Sequence, residues 1–179
     1  MNQKEQQILD AAEKMVRAGG YHTFSFRDIA NEVGIKSSSV HYHFSTKGEL
    51  GAAVAKRYTD TFFELLGDPE ALLRSGKEPL EVYVGAFEQA LIRDKRMCLC
   101  GLLGAEADGL PPEVADQAKV FFERNIEWLT RAYSLGGKPN DARDSAIQTL
   151  SLLEGAMITS IVVRDIEVFK SVSKGIRFR

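Results

Sequence analysis

The chain has 179 residues, 44% of them hydrophobic, and a formal net charge of −2 at pH 7. This length suits one large or two small domains, and we expect no apolar run of the roughly 20 residues that a membrane-spanning helix needs. The first residues, MNQKEQQ, are polar and do not resemble a secretory signal. Cys98 and Cys100 are too close for an ordinary disulfide and match no zinc spacing. These features predict a cytoplasmic protein without a membrane segment, a metal site or a cofactor.

Charge is spread evenly along the chain. Residues 1–50 hold six basic and six acidic side chains, so this part carries no excess positive charge. Nonspecific binding to nucleic acid depends on the neutralisation of many phosphates. The sequence therefore disfavours a protein that binds nucleic acid through bulk charge, and favours site-specific binding if it binds at all.

The segment from Ser25 to Leu50 has the clearest pattern in the sequence. Ser25 precedes an apolar-periodic run, and Asp28 follows three residues later, which is the spacing of a helix capping box. Gly34 stands where this helix has to end, because glycine adopts left-handed backbone angles without steric cost. We therefore predict a short helix between Ser25 and Gly34.

A second short helix and a long third helix follow that glycine. Ser37 opens the short helix, which ends near Phe44. Thr46 with Glu49 repeats the capping pattern and starts a helix that runs to about Leu66. Two short helices joined by a glycine turn are typical of a helix-turn-helix, in which the second helix enters the major groove of DNA.

The composition of the second short helix also suits DNA. No acidic residue occurs between Glu32 and Glu49, so no carboxylate in this window repels phosphate. Val40 and Phe44 lie four residues apart and are predicted to face inward. The remaining positions carry hydroxyl, imidazole and phenol groups that can contact phosphates or base edges. These outward residues are Ser37, Ser38, Ser39, His41 and Tyr42.

The run from about Gln7 to Val54 resembles the DNA-binding domain of TetR-type bacterial transcriptional regulators. The resemblance is carried by an opening helix, ILDAAEKMVRAGGYHTFS, then by FRDIANEVGI, and then by SSSVHYHFSTKGEL. It implies an all-α protein with a three-helix DNA-binding domain over residues 1–50 and a helical effector-binding and dimerisation domain over residues 51–179. It also implies a homodimeric repressor that a small molecule releases from a palindromic operator in double-stranded DNA.

The family's DNA contacts carry over to matching positions of this sequence. The resemblance implies that Lys47 holds a phosphate, which the partial positive charge at a helix N-terminus also favours. His41 stands where the family more often has tyrosine, so a pH-sensitive contact is one interpretation of this position. The residues implied to contact DNA are Arg27, Ser37, Ser38, Ser39, His41, Tyr42, His43, Thr46 and Lys47.

Beyond the third helix the pattern stays helical, and no strand pattern occurs. Breaks are marked by proline and glycine at Asp68-Pro69, Gly76, Pro79, Pro111-Pro112 and Gly136-Gly137. The predicted helices lie over about 69–75, 79–93, 99–107, 113–133 and 141–168. The helix from Thr46 to Leu66 joins the two predicted domains, so we expect it to act as the lever between effector and DNA.

The last two predicted helices are the expected dimer interface. Each has an apolar stripe at helical spacing, and small residues such as Gly155 allow helices to approach closely across a two-fold axis. Such a dimer would place its two reading helices about 34 Å apart, one turn of B-DNA. The predicted interface residues are Val114, Ala118, Phe121, Leu150, Leu153, Met157 and Ile161.

An effector is expected among the helices of residues 80–165, where apolar walls with a few polar groups suit a small molecule. Cys98 and Cys100 leave an alternative open, a regulator that senses oxidants or electrophiles through a thiol, which would need access and a lowered thiol pKa. The predicted wall residues are Tyr83, Phe87, Leu91, Cys98, Leu102, Phe122, Ile126, Trp128 and Met157.

A small helical enzyme is the alternative from another functional class. The sequence has no glycine-rich phosphate loop after a strand and no HExxH motif. Its histidines, His22, His41 and His43, all precede residue 50, so the expected pocket lacks the commonest general base. We therefore predict no enzymatic activity. A helix-turn-helix module that recruits protein partners without a ligand is a third alternative.

Overall fold

The computed structural model describes residues 2–93, 96–137 and 140–176, except for the side chain of Arg93. Within these ranges the chain forms helices and no β-strand, which confirms the predicted all-α class. The α-helices are α1 (Gln3–Gly19), α2 (Phe26–Val33), α3 (Ser37–His43), α4 (Lys47–Leu66), α5 (Pro69–Arg74), α6 (Pro79–Glu88), α7 (Leu99–Ala105), α8 (Pro112–Leu135), α9 (Ala142–Val163) and α10 (Glu167–Ser173). Tyr21–Thr23 and Ala107–Gly109 are 3₁₀ turns, and Gln89–Arg93 continues α6 as a π-helical turn.

The chain divides into two compact units. Unit 1 comprises Met1–Asp60 and Leu99–Phe121, and unit 2 comprises Thr61–Cys98 and Phe122–Arg179. The predicted division after residue 50 concerns the functional domains and stays a prediction. The compact units differ from it because a segment from the middle of the chain, Leu99–Phe121, packs with the N-terminal helices.

Charged side chains join the helices of unit 1. Arg57 of α4 donates to Asp10 Oδ1 at 2.7 Å and to Glu13 Oε2 at 2.8 Å, both on α1. Lys14 of α1 pairs with Glu32 of α2 at 2.5 Å. An arginine that bridges two carboxylates holds its geometry better than a single exposed pair does. These contacts fix α1 against both of its partners.

The segment Leu99–Phe121 is tied to the end of α1. The backbone N–H of Tyr21 donates to Glu106 Oε2 at 3.0 Å. Gly51 of α4 lies so close to Tyr21 and Val114 that a Cβ at this position would stand 2.7 Å from the tyrosine ring. Absence of a side chain at Gly51 therefore permits α1, α4 and α8 to meet.

The prediction of one final helix to about Val168 is wrong at its end. α9 stops at Val163, and Arg164 takes a left-handed conformation with φ of 57°. The N–H of Asp165 then donates to Ser160 O at 3.0 Å, and Asp165 Oδ1 accepts the N–H of Glu167 at 2.9 Å. This turn starts α10 and buries Phe169 completely. No glycine or proline marks the turn, so the sequence pattern missed it.

Aromatic rings fill the core of unit 2. Tyr83 stacks on Trp128 with ring centroids 5.4 Å apart, and Phe87 and Phe62 lie 5.4 Å and 6.0 Å from Tyr83. The Tyr83 hydroxyl donates to Asn125 Oδ1 at 2.5 Å, so the buried phenol has a partner. Trp128 Nε1 donates to Gly67 O at 2.7 Å, which attaches α8 to the end of α4.

Glu154 of α9 is an ionisable residue in the interior of unit 2. Both of its carboxylate oxygens are buried, and neither accepts a hydrogen bond from an N–H or O–H donor among the described residues. Burial raises the pKa of Glu154 to about 7, and a hydrogen bond with Cys98 opposes part of that rise.

Gly34→Ala should destabilise the protein by about 1–2 kcal/mol. Gly34 has φ of 72°, and a Cβ there would meet no atom within 4 Å, so the expected cost is the left-handed backbone alone. Gly85→Ala is the matched control. Gly85 lies inside α6 with open space around its Cβ position, and alanine there should stabilise by about 0.5–1 kcal/mol. Urea unfolding measures both, and equal effects would contradict the assignment.

Glu154→Gln should change how stability depends on pH. The folded protein holds the Glu154 proton more tightly than the unfolded chain, so raising the pH from 4.5 to about 7 favours unfolding. Wild type should therefore lose about 3 kcal/mol relative to Glu154→Gln across this window. Urea unfolding at several pH values tests this, with the exposed Glu127→Gln as control. Parallel curves for wild type and Glu154→Gln would show that this carboxyl is not buried.

Candidate nucleic-acid interface

The helix before the candidate reading helix begins and ends as predicted. The N–H of Asp28 donates to Ser25 Oγ at 3.3 Å, and the N–H of Ser25 donates to Asp28 Oδ2 at 2.9 Å, which completes the capping box. The Ser25 hydroxyl also donates to Asp28 Oδ2 at 2.6 Å, and the hydrogen bonds that this carboxylate accepts from the hydroxyl and the N–H of Ser25 hold the pKa of Asp28 below its ordinary value. Gly34 ends α2 in a left-handed conformation, and the N–H of Ile35 donates to Ala30 O at 2.9 Å.

α3 presents one apolar face inward and its polar residues outward. Val40 is buried in α3, and Phe44 is buried directly after it, as the four-residue spacing predicts. Tyr42 is 86% exposed, which is unusual for a large aromatic side chain. Ser38 and His41 are also exposed, while Ser37, Ser39 and His43 are half-buried. The edge of the His41 ring contacts Phe26 at a centroid distance of 4.5 Å, which directs the imidazole.

An open groove runs beside α3. Its walls bring together four residues implied by the family resemblance, and two that the sequence analysis did not single out, Lys4 and Ile35. Lys4 comes from the first turn of α1, far from α3 in sequence, so only the packing of α1 shows its position. The lining residues are Lys4, Ile35, Ser38, Ser39, Tyr42 and His43.

The flanking residues differ in how freely they face solvent. Arg27 and Thr46 are exposed, and the Thr46 hydroxyl accepts the N–H of Glu49 at 3.0 Å as the cap of α4. Lys47 is half-buried, with its ammonium 4.7 Å from the Tyr21 ring centroid and 4.4 Å from that of Phe24. Burial lowers the pKa of Lys47, and Glu106 and Asp28 oppose that shift. A phosphate contact by Lys47 would therefore compete with two aromatic rings.

The predicted wall residues of the effector site do not all share one unit. Leu102 belongs to unit 1, whereas the other eight belong to unit 2. The Tyr83 ring contacts the rings of Phe87 and Trp128. Cys98 and Cys100 form no disulfide and are buried. A reactive thiol needs access, so this burial weakens the thiol-sensor interpretation.

The predicted dimer interface needs correction. Six of its seven residues are at least 95% buried within the chain itself and offer no surface to a second copy: Val114, Ala118, Phe121, Leu150, Leu153 and Met157. For Leu150, Leu153 and Met157 the reason is that α9 is apolar on two opposite faces, so that helical spacing alone does not identify the face that meets the core. Ile161, 40% exposed, stays a prediction.

The opposite face of α9 is apolar and exposed. Ile147, Leu152, Ile158 and Val162 point outward, with Ser151, Gly155 and Thr159 among them. With two apolar faces, α9 is long and apolar enough to cross a membrane by length and composition, contrary to the expectation of no such segment. A core helix passes the same test, so this is weak evidence for a membrane span.

Known proteins resemble this chain in its N-terminal segment and, for solved structures, over nearly the whole fold. The profile described as "Bacterial regulatory proteins, tetR family" matches residues 8–54. A solved TetR transcriptional regulator from Legionella pneumophila is 32% identical, with a TM-score of 0.89 over 98% of this chain and 96% of that one. A TetR-family regulator from Agrobacterium tumefaciens is 26% identical, with a TM-score of 0.80 over 96% and 94%.

Curated relatives match a shorter part. The chain is 30% identical over 84 residues to the HTH-type transcriptional repressor KstR2 of Mycolicibacterium smegmatis, which is 47% of this chain and 40% of that protein. It is 27% identical over 122 residues to the HTH-type transcriptional activator FasR of the same species, 68% of this chain and 55% of that protein. The matches thus span about half the length of these relatives. Since the solved relative agrees with the chain almost from end to end, the chain belongs to the TetR family of bacterial regulatory proteins.

Proposed function

We propose that this protein is a ligand-responsive transcriptional regulator that binds a palindromic operator as a homodimer and is released by a small molecule. The observation that carries the proposal is the outward polar face of α3, on which Tyr42 is 86% exposed while Val40 and Phe44 hold the helix from behind. An exposed, directed set of hydroxyl, imidazole and phenol groups suits phosphates and base edges. The protein acts in the cytoplasm, where the operator is.

The helix α3 meets the major groove, and its neighbours meet the backbone. Arg27 and Tyr42 contact phosphates, and Ser38 and His41 reach base edges or the sugar-phosphate backbone. Thr46 and Lys47 lie at the N-terminus of α4, whose partial positive charge favours a phosphate. The lack of acidic residues from 33 to 48 leaves no carboxylate to repel the DNA.

A second copy covers the outward face of α9. Ile158 and Leu152 are 50% and 52% exposed there, and an apolar face on a helix of this length marks an interaction surface. Small residues such as Gly155 let two copies of α9 approach closely. A two-fold dimer pairs this face with itself and supplies the two reading helices that a palindrome requires.

The effector binds in unit 2 and acts through helices that belong to both units. α4 runs from Lys47 in unit 1 to Leu66 in unit 2, and α8 runs from Pro112 in unit 1 to Leu135 in unit 2. A ligand that binds unit 2 better in one arrangement of these helices shifts the protein toward that arrangement. Release from the operator then derepresses the gene, because a bound dimer blocks the promoter. No catalytic step is part of this function.

Arg27→Ala should weaken operator binding and flatten its salt dependence. Loss of one phosphate contact lowers the slope of log K against log salt by about one. Arg74→Ala, which removes an exposed arginine from α5, is the matched control and should leave the slope unchanged. Fluorescence anisotropy on a fragment found by footprinting upstream of the protein's own gene gives both slopes. If the two variants have the same slope as wild type, Arg27 does not touch DNA.

Tyr42→Phe keeps the ring and removes only the hydroxyl. If that hydroxyl donates to a phosphate, affinity should fall roughly 10- to 100-fold, as for a hydrogen bond to a charged group. The loss should be similar on operator and nonoperator DNA, because phosphates carry no sequence. Anisotropy on both fragments measures it, and unchanged affinity on both would show that the Tyr42 hydroxyl does not bind a phosphate.

Leu152→Glu should convert the protein from dimer to monomer. A charge on the outward face of α9 would be desolvated without a partner in the dimer. Leu65→Glu is the control, because Leu65 is 60% exposed on α4, and it should leave the dimer intact. Light scattering coupled to size-exclusion chromatography gives the mass, and circular dichroism shows that both variants fold. A dimeric Leu152→Glu would place the interface elsewhere.

A further inference from the structure

Glu154 has no countercharge among the residues that the structure describes. In that part of the chain neither Oε1 nor Oε2 accepts a hydrogen bond from an N–H or O–H donor. The causes that act on its pKa are burial, which raises it, and the thiol of Cys98, which lowers it; no described cation is among them. A buried carboxylate without donors is far costlier than an exposed one. Its presence in α9 therefore has no explanation in the stability of the unit.

Tyr83 and Cys98 lie near Glu154. Burial raises the pKa of Tyr83 well above its ordinary value, and Glu154 and Cys98 add to that rise. The Tyr83 hydroxyl does not donate to Glu154, because it already donates to Asn125. Its ring stacks on Trp128 and contacts Phe87. Glu154 thus lies near an aromatic cluster, and its two oxygens lack N–H and O–H donors.

We infer that Glu154 anchors the effector of unit 2, and that this effector is a protonated amine or amidine carried on an apolar body. The inference rests on the proposed function. A carboxylate without N–H or O–H donors is served by N–H groups, which a primary ammonium or amidinium supplies and a quaternary ammonium lacks. Carboxylates and phosphates are disfavoured, because ionised Glu154 repels them. The aromatic rings suit the apolar body and attract the cation.

Binding of such a cation is linked to a proton. The pKa of Glu154 is about 7, so the carboxyl is mostly protonated at pH 6 and mostly ionised at pH 8. Pairing with an ammonium needs the ionised form, and the proton passes to the buffer. The other titratable groups that face Glu154 in the described structure are Tyr83 on α6 and Cys98 before α7. Tyr83 stays neutral in this range, and Cys98→Ser removes any contribution from the thiol.

Isothermal titration calorimetry of the full-length protein with phenylalkylamines, from phenethylamine to phenylbutylamine, tests the inference. Each amine is compared with its alcohol, its carboxylate and its trimethylammonium analogue. At pH 8 the best amine should bind at least about tenfold tighter than its alcohol. Glu154→Gln should abolish that preference, and Glu127→Gln, an exposed glutamate on α8, should keep it.

A measurement of proton release on binding reports on the Glu154 carboxyl and needs no substituted variant. Titrations in buffers of different ionisation enthalpy should show close to one proton released per site at pH 6, and little at pH 8. The result in Cys98→Ser should be the same. No binding by any amine, equal binding of amine and alcohol, or an amine affinity unchanged in Glu154→Gln would overturn the inference.

Operator binding is measured on the same samples. The amine should weaken operator binding by wild type and have no effect on Glu154→Gln. If ligand-free protein binds the operator and amines have no effect on it, the inference is wrong and the proposed function stands. If ligand-free protein binds no DNA, the proposed function fails whatever the amines do.

Discussion

The candidate reading helix α3 depends on the residues that anchor it, because it is too short to be stable alone. α3 has seven residues, and an isolated helix of that length does not persist in water. Val40 and Phe44 fix it from behind, and the left-handed Gly34 sets the direction in which it leaves α2. The outward side chains of Ser38 and Tyr42 are exposed and lie outside the core. They are free to differ between relatives without a loss of stability, while the anchors hold the direction in which they point.

Local signals made this part of the fold predictable. A cap acts over three residues and a glycine turn over two, so Ser25 with Asp28, Gly34, and Thr46 with Glu49 are readable without knowledge of any distant contact. The inward and outward positions of α3 followed from the spacing of Val40 and Phe44. What local signals do not show is which distant groups come near α3, and Lys4 was missed for that reason.

The second half of the chain was less predictable because its signals are tertiary. α9 is apolar on both faces, so its periodicity predicted the helix and misassigned its core face to the dimer. The break at Arg164 lacks glycine and proline and depends on the hydrogen bonds of Asp165. The sequence pattern did not predict a buried Glu154, because glutamate is ordinarily exposed. Only the packing shows that its carboxylate is enclosed.

The two-sided apolarity of α9 has a consequence for gene control. If the outward face is closed by a second copy, occupancy of the operator depends on the square of the subunit concentration when dimers are scarce. A cell that halves its supply of this chain would then lose more than half of its bound regulator. Operator occupancy would then depend steeply on the subunit concentration even without a bound metabolite. Monomeric subunits would expose the outward apolar face of α9 to proteases and chaperones.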